Sequence, residues 1–206
     1  MHISDGLLHP AVCAAGYGLS VALMGRALKT LKEKDIPKIS VMGAFFFATS
    51  MIAPFRLGVV SVHLMFVGIL GLVLGFNSVL AIFAGLFFQA VMFQHGGVTT
   101  LGVNTLVMSF PSIVVYYVFL FITKRAKFSS FAICLFASIL AFFAIFLSAS
   151  VVGIILLISG EEFSGLIAVF SFSYLFLGII EGILTFFVMM MVLKIKPDII
   201  QAYRKI

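Results

Sequence analysis

The sequence predicts an all-α, polytopic membrane protein of seven transmembrane helices, with the N-terminus outside and the C-terminus cytoplasmic. Three observations carry this. Hydrophobic residues fill 63% of the 206 positions and charged residues 10%, for a mean hydropathy of +1.29. A soluble domain keeps a charged exterior and has nowhere to hide that much apolar surface. The apolar residues collect in seven stretches, judged against the roughly 17–25 residues that a bilayer-crossing helix needs. The basic residues lie in short clusters between those stretches, where they control topology.

In order, the stretches are Ala11–Leu28, Ile39–Phe55, Gly58–Phe76, Ser78–Phe93, Thr105–Thr123, Phe128–Ser159 and Leu166–Leu193. The fourth is short; the sixth and seventh exceed the required length and are expected to tilt or project. Arg26, Lys29, Lys32, Lys34 and Lys38 surround the first connection. Lys124, Arg125 and Lys127 fill the connection between spans five and six, and Lys194, Lys196, Arg204 and Lys205 follow the last span. An odd number of spans puts all three clusters on one face, cytoplasmic by the positive-inside rule, and leaves over only Arg56. No long polar insert or internal repeat interrupts the chain, so residues 1–206 read as a single membrane domain. Met1 to Pro10 holds no Lys or Arg, hence no charged region of a cleavable signal, and Met1 reads as the mature terminus.

Several function classes drop out. The net charge of +6 is spent on loop clusters rather than on a continuous basic surface, which argues against a nucleic-acid partner. A GxxxxGK[ST] loop is absent, so the chain holds no phosphate-binding site of that kind. HExxH is absent too, and no histidine has a carboxylate immediately beside it, which argues against an intramembrane metalloprotease, the main enzyme alternative. Cys13 and Cys134 sit in separate apolar segments and read as small packed residues, and Met189–Met191 reads as lipid-side packing rather than a copper site.

The four histidines all fall on the face opposite the basic loops. His2 and His9 precede span one, His63 lies about one turn inside the outer end of span three, and His95 follows span four. Met1-His2 is the sharpest chemical feature. A terminal amine, the deprotonated amide of His2 and a His2 imidazole nitrogen can close fused chelate rings on one ion, and an imidazole such as that of His63 would complete four nitrogens. Planar nitrogen coordination suits nickel or copper, with cobalt a competitor. An imidazole within an apolar span, as expected for His63, is costly unless it faces a cavity or partner. The stretch Phe93-Gln94-His95-Gly96-Gly97-Val98-Thr99-Thr100-Leu101-Gly102-Val103-Asn104 is the most polar and glycine-rich between spans. Paired glycines permit a tight or re-entrant path there, with Thr99, Thr100 and Asn104 able to satisfy exposed peptide groups.

These motifs, taken together, resemble the CbiM/NikM family, the substrate-binding membrane components of energy-coupling-factor transporters for cobalt and nickel. Met1-His2-Ile3-Ser4-Asp5-Gly6 resembles the family's Met-His-Ile-Pro-Asp-Gly opening, and Ser61-Val62-His63-Leu64 its Ser-Gly-His-Leu. Phe93 to Asn104 is similar to the His-Gly-Gly loop, and Glu181-Gly182-Ile183-Leu184-Thr185 to a Glu-Gly-Leu-Ile-Thr element. The resemblance implies a metal held by Met1, His2 and His63 in an outward cavity. A loop of His95, Gly96, Gly97, Thr99, Thr100 and Asn104 would line or cover it. It also implies Co2+ or Ni2+ as transported substrate with no organic cofactor. The partners implied are ATPase subunits and a transmembrane coupling protein that docks on Ala44 and Ala48, with a small accessory membrane subunit left open. The location implied is the prokaryotic inner (cell) membrane. A standalone metal channel or permease without ATPases is the alternative. The chain departs from the family at Ser4 (proline), Val62 (glycine), Phe76 (proline common) and Ser50 (glutamine common before Met51). Glu181 falls deep in span seven, nearer the cytoplasmic side, and reads as a hydrogen-bonded packing or coupling residue rather than a ligand. Gly71 to Gly75, like Ala44 to Ala48, has the small-xxx-small spacing that lets helices approach closely.

Overall fold

In a computed structural model, residues 2–52, 55–57, 60–125, 128–159 and 167–201 are described. The elements are β1 (His2–Ile3), α1 (Pro10–Thr30), α2 (Ile36–Ser50), β2 (Phe55–Leu57), β3 (Val60–Val62), α3 (Val67–Leu74), α4 (Ser78–Phe93), α5 (Leu101–Thr123), α6 (Ser130–Ile158) and α7 (Ile167–Ile195), with short 3-10 turns at Glu33–Asp35, Gly75–Asn77 and Pro197–Ile199. The architecture is helical apart from three very short strands. Five helical stretches among the described residues are long and apolar enough to cross a bilayer. The protein is a membrane protein.

Two expected spans come out shorter than the sequence indicates. The stretch Ile39–Phe55 holds a helix only to Ser50, and α2 has 15 residues. Gly58–Phe76 holds only the eight residues of α3. The rest of these two stretches includes a β-hairpin, β2 pairing antiparallel with β3, followed by a non-helical link from His63 to Phe66. Composition alone cannot separate a short apolar strand from a buried helix turn. Here the β-branched Val60 and Val62 favour the extended form. The N-terminal segment then adds β1 to the free side of β3, with His2 opposite Ser61 and Ile3 opposite Val60. The sheet order is β1-β3-β2.

The run Val67–Phe93 qualifies as one apolar stretch of 27 residues, yet it does not cross as one rod. A straight helix of that length would extend about 40 Å. The imidazoles of His63, just before the run, and His95, just after it, have centroids 5.6 Å apart, so the chain must double back between them. The reversal falls at Gly75, whose φ of +61° and ψ of −135° are open to glycine and strained for other residues. Phe76, the next residue, lies under the Arg26 guanidinium at 5.1 Å.

Helix α3 is central: all eight of its residues are buried. Its neighbours come close because small residues face it. A Cβ on Gly68 would stand 2.8 Å from Ala141 Cα of α6, and one on Gly71 would stand 2.9 Å from the Ser112 carbonyl carbon of α5. Helices α6 and α7 form an antiparallel pair in which the Ser138 hydroxyl donates to the Gly182 carbonyl at 2.8 Å. At the far end of α3 from His63, the Lys38 ammonium donates to the Val73 carbonyl at 3.1 Å and the Ile199 carbonyl at 3.4 Å. The Gln201 amide also donates to Val73 at 3.3 Å. The first connection and the C-terminal turn therefore meet at one end of the bundle. Outward-facing apolar side chains such as Phe131, Phe143, Phe176 and Phe187 are more than half exposed, as a lipid-facing surface requires.

The α3–α5 contact makes a test. Gly71→Ala forces backbone apart and is expected to cost about 1–3 kcal/mol, whereas Gly153→Ala, with nothing within 4 Å of its Cβ, should be neutral. Thermal midpoints of the two variants in detergent check this; equal midpoints would contradict the close approach.

Candidate metal centre

The site is built from the N-terminal segment outward. β1 is an edge strand on one side, paired to β3. On its other side a ladder strand is replaced by one side chain. Asn104, in the first turn of α5, accepts from the Ile3 amide through Oδ1 at 2.9 Å and donates to the Ile3 carbonyl through Nδ2 at 3.0 Å. The Thr100 hydroxyl donates to the same carbonyl at 2.7 Å. A peptide group buried away from water needs both partners, and Ile3 has no exposed surface.

Two residues further on, Asp5 fastens the segment to the glycine-rich loop. Its carboxylate accepts from the Val98 amide at 3.0 Å, the Thr99 amide at 2.9 Å, the Thr100 amide at 3.3 Å and the Thr99 hydroxyl. Partial desolvation acts to raise the Asp5 pKa, and these four hydrogen bonds outweigh it and hold the carboxyl below its ordinary value. The loop lies so close that a Cβ on Gly97 would stand 2.8 Å from the Asp5 amide nitrogen. Gly96 has φ +86°. Both glycines of the pair are thus required, one by contact and one by conformation.

The segment so held turns His2 inward. His2 and His63 are buried, at 1% and 2% exposure. The centroid of the His2 ring is 4.6 Å from that of His63, nearly parallel to it, and 4.6 Å from that of His95, nearly perpendicular. One ring nitrogen from each of the three imidazoles lies within 4.8 Å of the others. Metal–imidazole bonds of about 2 Å put neighbouring donors roughly 3–4 Å apart, so a small closing movement brings the three onto one ion. Burial, followed by repulsion from nearby positive charge, holds His2 well below the ordinary imidazole pKa, which favours the neutral form that ligates.

The hydrogen bonding of two rings is informative. His63 Nδ1 is 2.8 Å from the Leu64 carbonyl; a carbonyl only accepts, so Nδ1 carries the proton and Nε2 keeps the lone pair. His2 Nε2 is buried with no hydrogen-bond partner among the described residues. An orphaned buried nitrogen beside two other imidazoles fits a cation that arrives from outside the chain.

Placement of the remaining expected residues is direct. Met1 lies outside the described residues. His95 joins the cluster itself, closer to the two buried histidines than a covering loop requires. His9 stands apart: it caps α1, its Nδ1 accepting from the Ala11 amide at 3.3 Å. Ala44 and Ala48 are exposed on α2, remote in role from the histidines. Glu181 requires a correction of depth. It is fully buried, and its carboxylate accepts from the Met65 amide and from the Phe66 amide at 3.0 Å, immediately after His63. The hydrogen-bonded role expected of it holds; the expected distance from the histidines does not, because the link after His63 dips into the bundle instead of continuing a helix. Sequence reasoning gave Asp5 no role of its own. Its signal was there, an acid three residues after a histidine in a stretch with no basic partner, but its targets are backbone amides that no sequence displays.

Residues 2–199 match the family model for the cobalt uptake substrate-specific transmembrane region. The chain belongs to this CbiM family. Among relatives, it is 30% identical over 94% of its length to a cobalt transport protein CbiM of Clostridium tetani, covering 85% of that protein. It is 29% identical over 98% of its length to a fused nickel transport protein NikMN, designated putative, of Archaeoglobus fulgidus, covering 68% of it. A putative metal transport protein of Haemophilus influenzae is 36% identical over 58% of the chain, a match spanning 57% of that protein. A crystal structure described as a truncated transition metal transporter shares the fold, with a TM-score of 0.77, 24% identity, and coverage of 94% of this chain and 99% of that one. This CbiM-family chain is a transporter rather than an enzyme, of a family that carries cobalt or nickel as substrate.

Ser50 is buried and receives a hydrogen bond from Gln89 Nε2 of α4.

Removing the Asn104 clamp tests the construction. Asn104→Ala leaves the Ile3 amide unpaired in a buried site, for an expected loss of about 1–3 kcal/mol, and should release the N-terminal strand. Hydrogen exchange of the Ile3 amide checks this, with fast exchange expected in the variant. Protection equal to the wild type would show that Asn104 does not hold the strand.

Proposed function

We propose that this chain is the substrate-binding membrane subunit of an energy-coupling-factor importer for Co2+ or Ni2+, in the prokaryotic cell membrane. The observation that carries the reading is the convergence of His2, His63 and His95, with His2 Nε2 without a hydrogen-bond partner among the described residues. The N-terminal amine of Met1, the amide and imidazole of His2 and the imidazole of His63 form the donor set, all nitrogen. Such donors suit cobalt(II) and nickel(II) alike and discriminate against magnesium and calcium, which take oxygen. His95, Gly96, Gly97, Thr99, Thr100 and Asn104 shape the wall around the ion, His95 nearest to it.

The termini lie on opposite sides of the membrane in this reading. α2 and α3 count as short passages, completed by the hairpin and the His63–Phe66 link, so that seven passages put the histidines outside and the basic clusters inside. The chain has no phosphate-binding loop of its own, so concentrative uptake draws on partner ATPases through a transmembrane coupling protein. Its docking face is α2. Ala44 and Ala48 are exposed there, and an apolar groove of about 350 Å³ runs between α2 and α4, lined by Gly43, Ala44, Ala84, Gly85, Phe47 and Phe88 among others. Small residues along such a groove admit a partner helix closely.

Two experiments test the two halves. One residue added before Met1 displaces the amine and should weaken nickel or cobalt binding by at least tenfold while the thermal midpoint stays unchanged; isothermal titration measures this, and full affinity would remove the amine from the donor set. In the same assay His2→Ala and His63→Ala should weaken binding most and His9→Ala least. A loss in His95→Ala equal to that of His63→Ala would make His95 a direct ligand. For docking, Ala44→Leu with Ala48→Leu should keep metal affinity and lose ATP-driven uptake in vesicles reconstituted with the partner subunits. Undiminished uptake would refute the face, and concentrative uptake by the chain alone would refute the subunit reading.

A further inference from the structure

The link between His63 and α3 places one peptide group in an unusual position. The peptide joining Leu64 to Met65 carries the carbonyl that accepts from His63 Nδ1, at 2.8 Å, and the amide that donates to Glu181 Oε1. The second Glu181 oxygen accepts from the next amide, that of Phe66, at 3.0 Å. Phe66 has φ +49° and stands directly before the first residue of α3, so the chain turns into the helix just after the second of these amides. Three groups therefore stand in series: carboxylate, peptide, imidazole. The nitrogen at the end of the series is His63 Nε2.

We propose that Glu181 is a positioning residue for the metal site, acting on His63 through the Leu64–Met65 peptide. This rests on His63 being a ligand, as proposed above, and adds a residue on α7 to a site otherwise built from the N-terminus and the ends of α3, α4 and α5. A carboxylate that accepts from a peptide N–H polarises the group and makes its carbonyl a better acceptor. The Leu64 carbonyl in turn fixes the Nδ1–H tautomer of His63, orients the ring and raises the donor strength of Nε2. In metal sites the ring nitrogen away from the ion is commonly held by a carboxylate or a carbonyl, and loss of that partner typically costs about 10–100-fold in affinity. Here a carbonyl does the holding and a carboxylate one peptide further on strengthens it.

The packing explains why the carboxylate is needed. The chain from His63 to Phe66 is not helical, so the Met65 and Phe66 amides have no partner in a helix, and both residues are buried. Irregular backbone within a membrane domain persists only where protein groups satisfy it. Glu181 does so from α7. A glutamine at this position keeps the size but has one oxygen, and its NH2 group would oppose one of the two amides.

The test is a double-mutant cycle on the full chain with its native N-terminus, loaded with nickel alone. The four proteins are wild type, Glu181→Gln, His63→Ala and the double variant. Glu181→Gln should lower nickel affinity about 10–100-fold and shift the ligand-field absorption band of the bound ion. In the His63→Ala background the same change should have no further effect on affinity, because the relay then has nothing to act on. Additive losses, or an unshifted band in Glu181→Gln, would make the residue a packing anchor only and overturn the proposal. If His63→Ala leaves affinity unchanged, the donor set itself is wrong and the proposal falls with it, a result distinct from failure of the relay alone. Should Glu181→Gln fail to fold, nitrogen-15 spectra of the metal-free wild type decide instead. The His63 resonances, assigned by their loss in His63→Ala, should show Nδ1 protonated and Nε2 bare; the opposite tautomer would overturn the relay.

Discussion

Both hydrogen-bonding groups of Ile3 are held by the amide of Asn104, and this contact fixes where the N-terminus can go. Burying a strand of two residues against a single partner strand would leave its outer peptide groups unsatisfied, at a cost of several kcal/mol in a membrane interior. Asn104 and Thr100 take the place of a second strand. Asp5 then ties the following turn to the amides of Val98, Thr99 and Thr100. With residues 3 and 5 fixed, His2 is turned into the interior, and its ring meets those of His63 and His95. The glycine-rich loop is therefore a clamp for the N-terminal segment as well as a wall of the site.

The same requirement, that no buried peptide group go unpaired, shapes the other side of the site. Helix α3 begins late because the preceding residues serve the sheet and the His63 link. The cost of that break is met by Glu181, which reaches from α7 to the two amides that a helix would otherwise have paired. Close approach around α3 follows from Gly68 and Gly71, which admit α6 and α5 near enough for α7 to contribute to this end of the bundle. The site is thus held by backbone contacts to side chains from three separate parts of the sequence.

Much of this was legible in the sequence, and the parts that were not share a cause. The apolar stretches that became α1, α4, α6 and α7 were delimited to within about two residues. Length and composition suffice for such helices. α5 begins one turn earlier than expected, at Leu101, because Gly102 and Thr105 are compatible with helix and Asn104 faces Ile3 rather than solvent. Phe55, assigned to the second span, and Val60 to Phe66, assigned to the third, were expected to be helical because their residues are apolar in either form, and what selects the strand β3 is the distant N-terminal segment pairing with it. His2 and His63 were singled out from their residue types. The inclusion of His95 in the cluster, and the proximity of Glu181 to His63, depend on the reversal at Gly75 and on the late start of α3. Those are tertiary facts that spacing along the chain does not encode.

On the proposed reading the chemistry is that of a nitrogen-rich, buried site, suited to a borderline transition-metal ion. X-ray absorption at the metal edge of the nickel-loaded or cobalt-loaded protein addresses this most directly. An inner shell of nitrogen at about 2 Å, with the outer-shell scattering of at least two imidazoles, is expected. A shell of water or carboxylate oxygen without imidazole scattering would contradict the site.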